Sequence, residues 1–319
     1  MIAGGGLVAF PTETVYGLGA DAFNPTALAK VFDVKKRPRF DPLIVHIAEL
    51  GELEKIADIS ALDAEARGKL RILTENLWPG PLTLILPKQK TVPDLATSGL
   101  PTVAVRLPGN ETARQLIALS TGAVAAPSAN PFGYLSPTKA EHVQEMIGDN
   151  IDIILDGGPS LVGVESTVLD ISGGPARILR PGGIPKETIE TLIGKVMSGP
   201  AVCDSVITSP GQLKSHYAPH TPLSVYNNAG DIPDRPGSAI LFFDRASHDI
   251  WLSVRKLKPA ASVFILSETG NTVEAAAKLF ETLHCLDKSG ANRIYAQLAP
   301  EEGLGIAIND RLRRAAEKQ

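Results

Sequence analysis

The first 194 residues switch repeatedly between two hydrophobic periods. Short apolar runs bounded by Gly, Pro and Asn ("GLVAF", "PLIVHI", "PLTLILP", "TVAVRLP", "GAVAAPSAN") read as strands ending in turns. Between them, apolar residues recur at helical spacing. "NPTALAKVF" predicts a helix with Asn24 as N-cap, Pro25 in the first turn, and Leu28, Val31 and Phe32 on one face. "SALDAEARGKLRILTENLW" and "NETARQLIAL" predict two more, and Thr138 with Glu141 supplies a capping box ahead of "HVQEMIG". "IDIILDGG", "STVLDI" and "ARILRPGG" are further strands, the last two joined by a Gly-Gly turn, and "IPKETIETLIG" starts a short helix near Pro185. Strands this close together predict a mixed α/β sheet, not a strictly alternating parallel one.

The pattern fades after Gly194. "KVMSGPAVCDSVITSPGQLKSHYAPHTPL" is aperiodic and rich in Ser, Pro and Gly, and it is longer than most connections inside one domain. Regularity then returns. "LSVYN", "SAILFF", "SVFILS" and "RIYAQLA" are strand-like, while "TVEAAAKLFETLHCLDKSG" and "GIAINDRLRRAAEK" are helical. These elements predict a small α/β domain with a largely parallel sheet. The chain is expected to divide into an N-terminal domain at 1–194, a linker at 195–221 and a C-terminal domain at 222–319.

Composition narrows the function. With 44% hydrophobic and 21% charged residues the 319-residue chain is globular, and its net charge of -4 gives no global attraction to nucleic acid or acidic membranes. Any anion site must therefore be local. Cys203 and Cys285 show no metal-ligand spacing and suit a reducing compartment. No apolar run approaches the roughly 20 residues of a membrane-spanning helix, and "MIAGGGLVAF" lacks signal-peptide features. The expected location is the cytoplasm.

Several segments can carry chemistry, each with a plainer alternative. "FPTETVYGLGADAF" places two hydroxyls and a carboxylate after a strand, where open α/β sheets bind ligands; Gly17 and Gly19 would let backbone approach a ligand, or the segment is only a turn. Lys35, Lys36, Arg37 and Arg39 end a helix, where the dipole favours cations, yet they also lead into a loop able to clamp a polyphosphate. Ser128 and Asn130 in "APSAN" can make turn hydrogen bonds or hold phosphate. Arg106 at the end of "TVAVRLP" needs a carboxylate or a ligand, because an unpaired buried charge is costly. Glu165 and Ser166 open a strand and could be purely structural. His216 and His220 have i,i+4 spacing, but Pro219 between them and the lack of a third ligand make zinc improbable. There is no G-x-S-x-G elbow, H-E-x-x-H or C-x-x-C. A site rich in hydroxyls and cations and poor in bases suits transfer at phosphorus.

Taken together, "GGLVAFPTETVYGLGADA", Lys35-x-Arg37, "DPLIVHI", "TVAVRLP", "APSAN", "SPT" and "ESTVLD" appear in the order that resembles the YrdC-like family. The linker "SPGQLKSHYAPHTPL" and the added domain resemble the longer, two-domain form of threonylcarbamoyl-AMP synthases. The resemblance spans almost the whole chain. It implies a YrdC-like mixed, twisted sheet with helices, plus a smaller Rossmann-like C-terminal domain. It also implies synthesis of threonylcarbamoyl-AMP from L-threonine, bicarbonate and ATP, with Mg²⁺ on the phosphates and release of pyrophosphate. The product serves a downstream tRNA threonylcarbamoyl transferase complex, so any contact with tRNA is expected to be indirect.

Residue by residue, the resemblance implies that Thr14, His46, Arg106, Ser166 and the backbone at Ala126 hold threonine. Lys35, Arg37, Asp41, Thr102, Ser128, Asn130, Ser136 and Arg180 surround ATP, with Lys35 and Arg37 stabilising charge at phosphorus. Tyr217 of the linker lies across the nucleotide as a lid. Two features depart from the family. Members usually carry a helix and further chain ahead of the first strand, and Asp41 stands where many have Asn, which favours a Mg²⁺-mediated contact. A competing reading makes the basic segment Lys35 to Arg39 an RNA-binding surface, against which the acidic net charge and few aromatics argue. A carbamoyl-transferring maturation factor would carry acylphosphatase-like and zinc-finger segments, and two cysteines are too few for it.

Overall fold

A computed structural model describes residues 1–199, 216–254 and 262–317. Most of the expected linker, including Cys203, lies outside them. The chain forms two compact units. The first comprises Met1–Phe132, Pro137–Leu161 and the described part of Glu165–Gln212, and the second comprises Gly133–Ser136, Val162–Val164 and the described part of Leu213–Gln319.

The first unit carries a mixed sheet. Its strands are β1 (Val8–Phe10), β2 (Gly17–Asp21), β3 (Ile44–Ile47), β4 (Leu82–Pro87), β5 (Thr102–Arg106), β6 (Ala123–Ala125), β7 (Ile153–Ile154), β8 (Thr167–Asp170), β9 (Arg177–Arg180) and β10 (Met197–Ser198). They lie in the order β10-β9-β8-β4-β5-β3-β6-β2-β1-β7. β2 is absent from the sequence reading because "GLGAD" has little β-propensity; it pairs antiparallel with both β1 and β6.

Helices form where capping predicts. Asn24 accepts from the amides of Thr26 and Ala27 to start Pro25–Lys35, and Asp63 and Asn110 cap Ala64–Leu77 and Glu111–Ser120. The Thr138/Glu141 capping box does not form. The helix Ala140–Ile147 has Lys139 at its N-cap with no side-chain cap, and His142 Nδ1 instead accepts from the Thr138 amide at 3.3 Å.

Strand alternation divides the sheet into two chemically different faces. On one, Val45, Ile47, Leu82, Leu84, Leu86, Val103, Val105 and Leu169 pack with Leu28, Phe32, Leu70, Leu73 and Ile189 from three helices. The opposite face carries Ile44, Ile85, Ala104 and Val168 as a smaller apolar cluster. At its β1/β6 end this face is covered by Ala113 and Ile117 of Glu111–Ser120, packed on Val8, Phe10 and Val124. Between these apolar patches the same face turns polar.

The second unit has four parallel strands, β11 (Leu223–Tyr226), β12 (Ser238–Asp244), β13 (Ser262–Ser267) and β14 (Arg293–Gln297), in the order β11-β14-β12-β13. Ile240, Phe242, Trp251 and Tyr295 form part of its core. Among the described residues no helix is long and apolar enough to cross a membrane.

Candidate active site

Register builds the polar row. His46 of β3 pairs with Arg106 of β5, Arg106 with Thr83 of β4, Thr83 with Val168 of β8, and Val168 with Arg180 of β9. Cross-strand partners share a face, so His46, Arg106, Thr83 and Arg180 project from the same side. A register shift between Val168 and Leu169 brings Arg180 into the row. Uninterrupted pairing would place Leu179 opposite Val168 and turn Arg180 toward the apolar face. Bulges re-aim side chains in this way. Thr102 lies on the polar face too, four residues before Arg106.

The turn between β1 and β2 supplies one wall. Thr12 Oγ1 donates to the Val15 carbonyl at 2.6 Å and meets Thr14 Oγ1 at 2.8 Å, so the turn holds Thr14 in place. Arg106 Nη1 donates to Thr14 Oγ1 at 3.0 Å, and Nε reaches the Gly80 carbonyl at 3.3 Å. Arg106 Nη2 lies 2.7 Å from Glu13 Oε1, an ion pair buried at the arginine and partly buried at the glutamate. Burial is the largest influence on Glu13 and would raise its pKa, but the Arg106 charge, together with hydrogen bonding from Arg106 and from the backbone at Gly109 and Glu13, holds the carboxyl below its usual range. His46 touches the Phe10 ring edge-on, and its Nδ1 lies 3.2 Å from the Ile44 carbonyl. Burial, then the Arg106 charge, lowers its pKa to about 3, so the imidazole is neutral at pH 7.

Gly17 and Gly19 have a packing reason to lack side chains. A Cβ at Gly19 would stand 2.8 Å from both the Phe10 ring and Val124, and one at Gly17 would stand 3.3 Å from Phe10. Their missing side chains make room for the ring that flanks His46.

The Lys35–Arg37 segment turns inward. The helix ends at Lys35, and Lys36, at φ 52°, reverses the chain in a left-handed conformation. Lys35 is 1% exposed and Arg37 7%, unlike solvated cations at a helix end. Lys35 Nζ donates to the Ser128 carbonyl at 2.6 Å and also to that of Asn130, tying the helix to "PSAN". Arg37 donates to the carbonyls of Asp41 at 3.0 Å and Pro42 at 2.8 Å, and pairs with the Asp41 carboxylate at 2.9 Å. Burial, reinforced by Arg37, pushes Lys35 well below its usual pKa, against the pull of Asp41 and Glu165. Burial raises Asp41 despite the opposing charges of Arg37, Lys35 and Arg180. Lys35, Arg37 and Arg180 thus gather around one carboxylate, a local concentration of cations in an acidic protein.

Ser166 joins the two halves. Its carbonyl accepts from Arg180 Nη2 at 2.9 Å, its Oγ from the same nitrogen at 3.1 Å, and its Oγ meets Thr83 Oγ1 at 2.8 Å. Ala126 donates its amide to the Ile44 carbonyl at 2.9 Å beside this row. Thr14, His46, Arg106, Ala126, Ser166 and Arg180 are therefore brought together on one face.

Ser136 and Tyr217 belong to the second unit. Ser136 is fully buried, with its carbonyl 3.1 Å from His284 Nε2. Tyr217 takes φ 63°, a strained conformation for a non-glycine residue. Its ring packs on His216 and Phe280, with the Arg311 guanidinium 5.1 Å from its centre. His220 Nδ1 lies 3.3 Å from the Tyr134 hydroxyl. No group of three or more His, Cys, Asp or Glu able to hold a metal occurs among the described residues.

Sequence reasoning overlooked two members of the site. Glu13, the carboxylate of "PTET", counts in a candidate binding turn but has no specific role there, and its partner Arg106 identifies it. Thr83 occupies an unremarkable position in "PLTLILP"; its one signal is a polar residue interrupting an apolar alternation.

Comparison with known proteins agrees with this architecture. Residues 1–182 match the family model described as "Telomere recombination", and residues 184–317 match "Threonylcarbamoyl-AMP synthase, C-terminal domain". The chain is 43% identical to the threonylcarbamoyl-AMP synthase of Pyrococcus abyssi over 98% of its own length and 91% of that protein. It is 40% identical to the Bacillus subtilis enzyme of the same name, covering 97% and 89%. The crystal structure of the P. abyssi protein, Sua5, complexed with L-threonine superposes with a TM-score of 0.85 at 38% identity, covering 99% of this chain and 92% of that one. The chain belongs to the threonylcarbamoyl-AMP synthase family of enzymes, in its two-domain, YrdC-like form.

Proposed function

We propose that this enzyme makes threonylcarbamoyl-AMP from L-threonine, bicarbonate and ATP, releasing pyrophosphate, for threonylcarbamoyladenosine formation in tRNA. The observation that carries the reading is the buried Arg106, held by Thr14 beside neutral His46, on the same sheet face as Arg180. A buried guanidinium with polar neighbours suits an amino-acid carboxylate. The threonine-bound P. abyssi relative supports that substrate.

Threonine's amine and bicarbonate give a carbamate and water. A carbamate oxygen then attacks the α-phosphorus of ATP as pyrophosphate leaves. The carbamate is already an anion, so this step needs alignment and cations more than a protein base. Thr14, His46, Arg106, Ser166 and the Ala126 backbone would position threonine. Thr102, Ser128, Asn130, Ser136, Arg180 and Asp41 would surround ATP. Lys35 and Arg37 would neutralise charge at phosphorus; a polyphosphate restores the charge that burial disfavours on Lys35.

Mg²⁺ is read as arriving on ATP. Asp41, whose carboxylate oxygens lack aligned hydrogen bonds, fits a single protein ligand, with phosphate and water filling the rest. Tyr217 would shield the adenylate from water. The downstream partner would be the tRNA-modifying transferase complex, with the cytoplasm as location. The RNA-surface reading gains nothing here, since two of its four cations, Lys35 and Arg37, are withdrawn from solvent. Pyrophosphate release measured with and without threonine tests the assignment: dependence on threonine is expected, and release indifferent to threonine would refute it.

A further inference from the structure

Among the described residues Glu13 is the carboxylate that pairs with Arg106, and the hydrogen bonding of the pair is poorly satisfied. The charges stand 2.7 Å apart with their side chains 4% and 13% exposed. Arg106 and the backbone at Glu13 and Gly109 lie close enough to pull the Glu13 pKa down, yet neither Glu13 oxygen receives a well-aligned hydrogen bond and Arg106 Nη2 donates none. The Glu13 carboxyl packs against the backbone at Gly109, where an added Cβ would stand 3.5 Å from its carboxyl carbon. Buried ionised groups with unfilled hydrogen-bonding capacity are costly. A ligand that filled both would therefore displace the pair at low cost.

An α-amino acid is such a ligand. Its carboxylate and ammonium sit on one carbon, so it carries the same two charges as the pair in the reverse sense. We propose that Glu13 is the site for the substrate's ammonium group, and that the Glu13–Arg106 ion pair opens to admit the zwitterion. Arg106 turns from Glu13 to the substrate carboxylate, and Glu13 accepts from the substrate nitrogen. Each buried charge keeps an opposite partner and gains the aligned hydrogen bonds it lacks. Without ligand, Glu13 occupies the place of the substrate carboxylate and keeps Arg106 from being buried unpaired. The ammonium role makes Glu13 a specificity residue for an amine next to a carboxylate. The proposal rests on Arg106 being the carboxylate anchor.

Calorimetric titration of the full chain with L-threonine and with 2,3-dihydroxybutanoate, in which a hydroxyl replaces the amine, tests it. The unsubstituted protein should prefer threonine by at least about tenfold, the worth of a charge-assisted hydrogen bond. Glu13→Gln should erase most of that preference by weakening threonine, while the hydroxy acid binds as well or better because its competitor for Arg106 is gone. Glu13→Asp, which keeps the charge, should retain the preference. Equal weakening of both ligands by Glu13→Gln would overturn the proposal and leave Glu13 a support for Arg106. Absence of any preference in the unsubstituted protein would overturn it independently of how the variants fold. Failure of the unsubstituted protein to bind threonine at all would refute the substrate reading itself, and this proposal with it.

Discussion

Arg106 and His46 face each other across neighbouring parallel strands, one a buried cation and the other a buried neutral base. Burial, reinforced by the arginine's charge, keeps the imidazole uncharged, so the pair presents one positive charge and a hydrogen-bonding ring to a small anion. Replacing Arg106 with Ala should raise the threonine KM by about a hundredfold, the scale of a lost charged hydrogen-bonding pair, and leave the ATP KM within a few fold. Equal changes in both constants would remove the carboxylate role.

Lys35 and Arg37 should matter for turnover more than for binding. Lys35→Met and Arg37→Lys are the informative variants, because they keep apolar bulk or charge inside a buried cluster. Each should lower kcat by about 10²–10³, as for other transition-state charge stabilisers. Circular dichroism would confirm folding, and an unchanged kcat in both would reject stabilisation at phosphorus.

His46 makes stability depend on acid. Its folded pKa of about 3 lies below the ordinary 6.5, so between these values the unfolded chain holds the extra proton. That part of the stability is present above about pH 6.5 and lost as pH falls toward 3, at up to about 1.4 kcal/mol per pH unit. Glu13, also depressed, adds loss of the same sign lower down, whereas Asp41, raised, opposes it. Urea denaturation from pH 7 to 4 should give a flatter profile for His46→Gln than for the unsubstituted protein. Superimposable slopes would show that His46 does not carry the effect.

Gly19 tests whether the glycines serve packing. A Cβ there overlaps the Phe10 ring and Val124, so Gly19→Ala should cost about 1–3 kcal/mol, the usual scale of overpacking. A paired Phe10→Leu change should recover part of it. A neutral Gly19→Ala would contradict the packing account.

Tyr217 tests the lid. Tyr217→Ala should raise the AMP formed per threonylcarbamoyl group delivered, because an exposed adenylate hydrolyses. Coupling equal to that of the unsubstituted protein would reject shielding by this residue.

Local chemistry alone was enough to place most elements. Asn24 followed by Pro25 marks a helix start in any context, and "TVAVRLP" alternates whatever surrounds it. The ordered set of short motifs carried the family, hence the fold. β2 escaped because "GLGAD" becomes a strand only when β1 and β6 supply its hydrogen bonds. The capping box failed because His142 competes for the same backbone.

The site divides in the same way. The amino-acid sequence by itself determined which residue types were available: a lone arginine at a strand end, a Lys-x-Arg pair, clustered hydroxyls. Only the tertiary structure decided their use. A register shift in the β8/β9 pairing turns Arg180 onto the polar face, and the helix end at Lys36 folds Lys35 and Arg37 inward. Strand order sets Glu13 against Arg106, residues 93 positions apart. Sequence periodicity fixes which side of its own strand a residue occupies. Which strands meet, and in what register, depends on burial and hydrogen bonding summed over the whole sheet, and that sum cannot be read from any one segment.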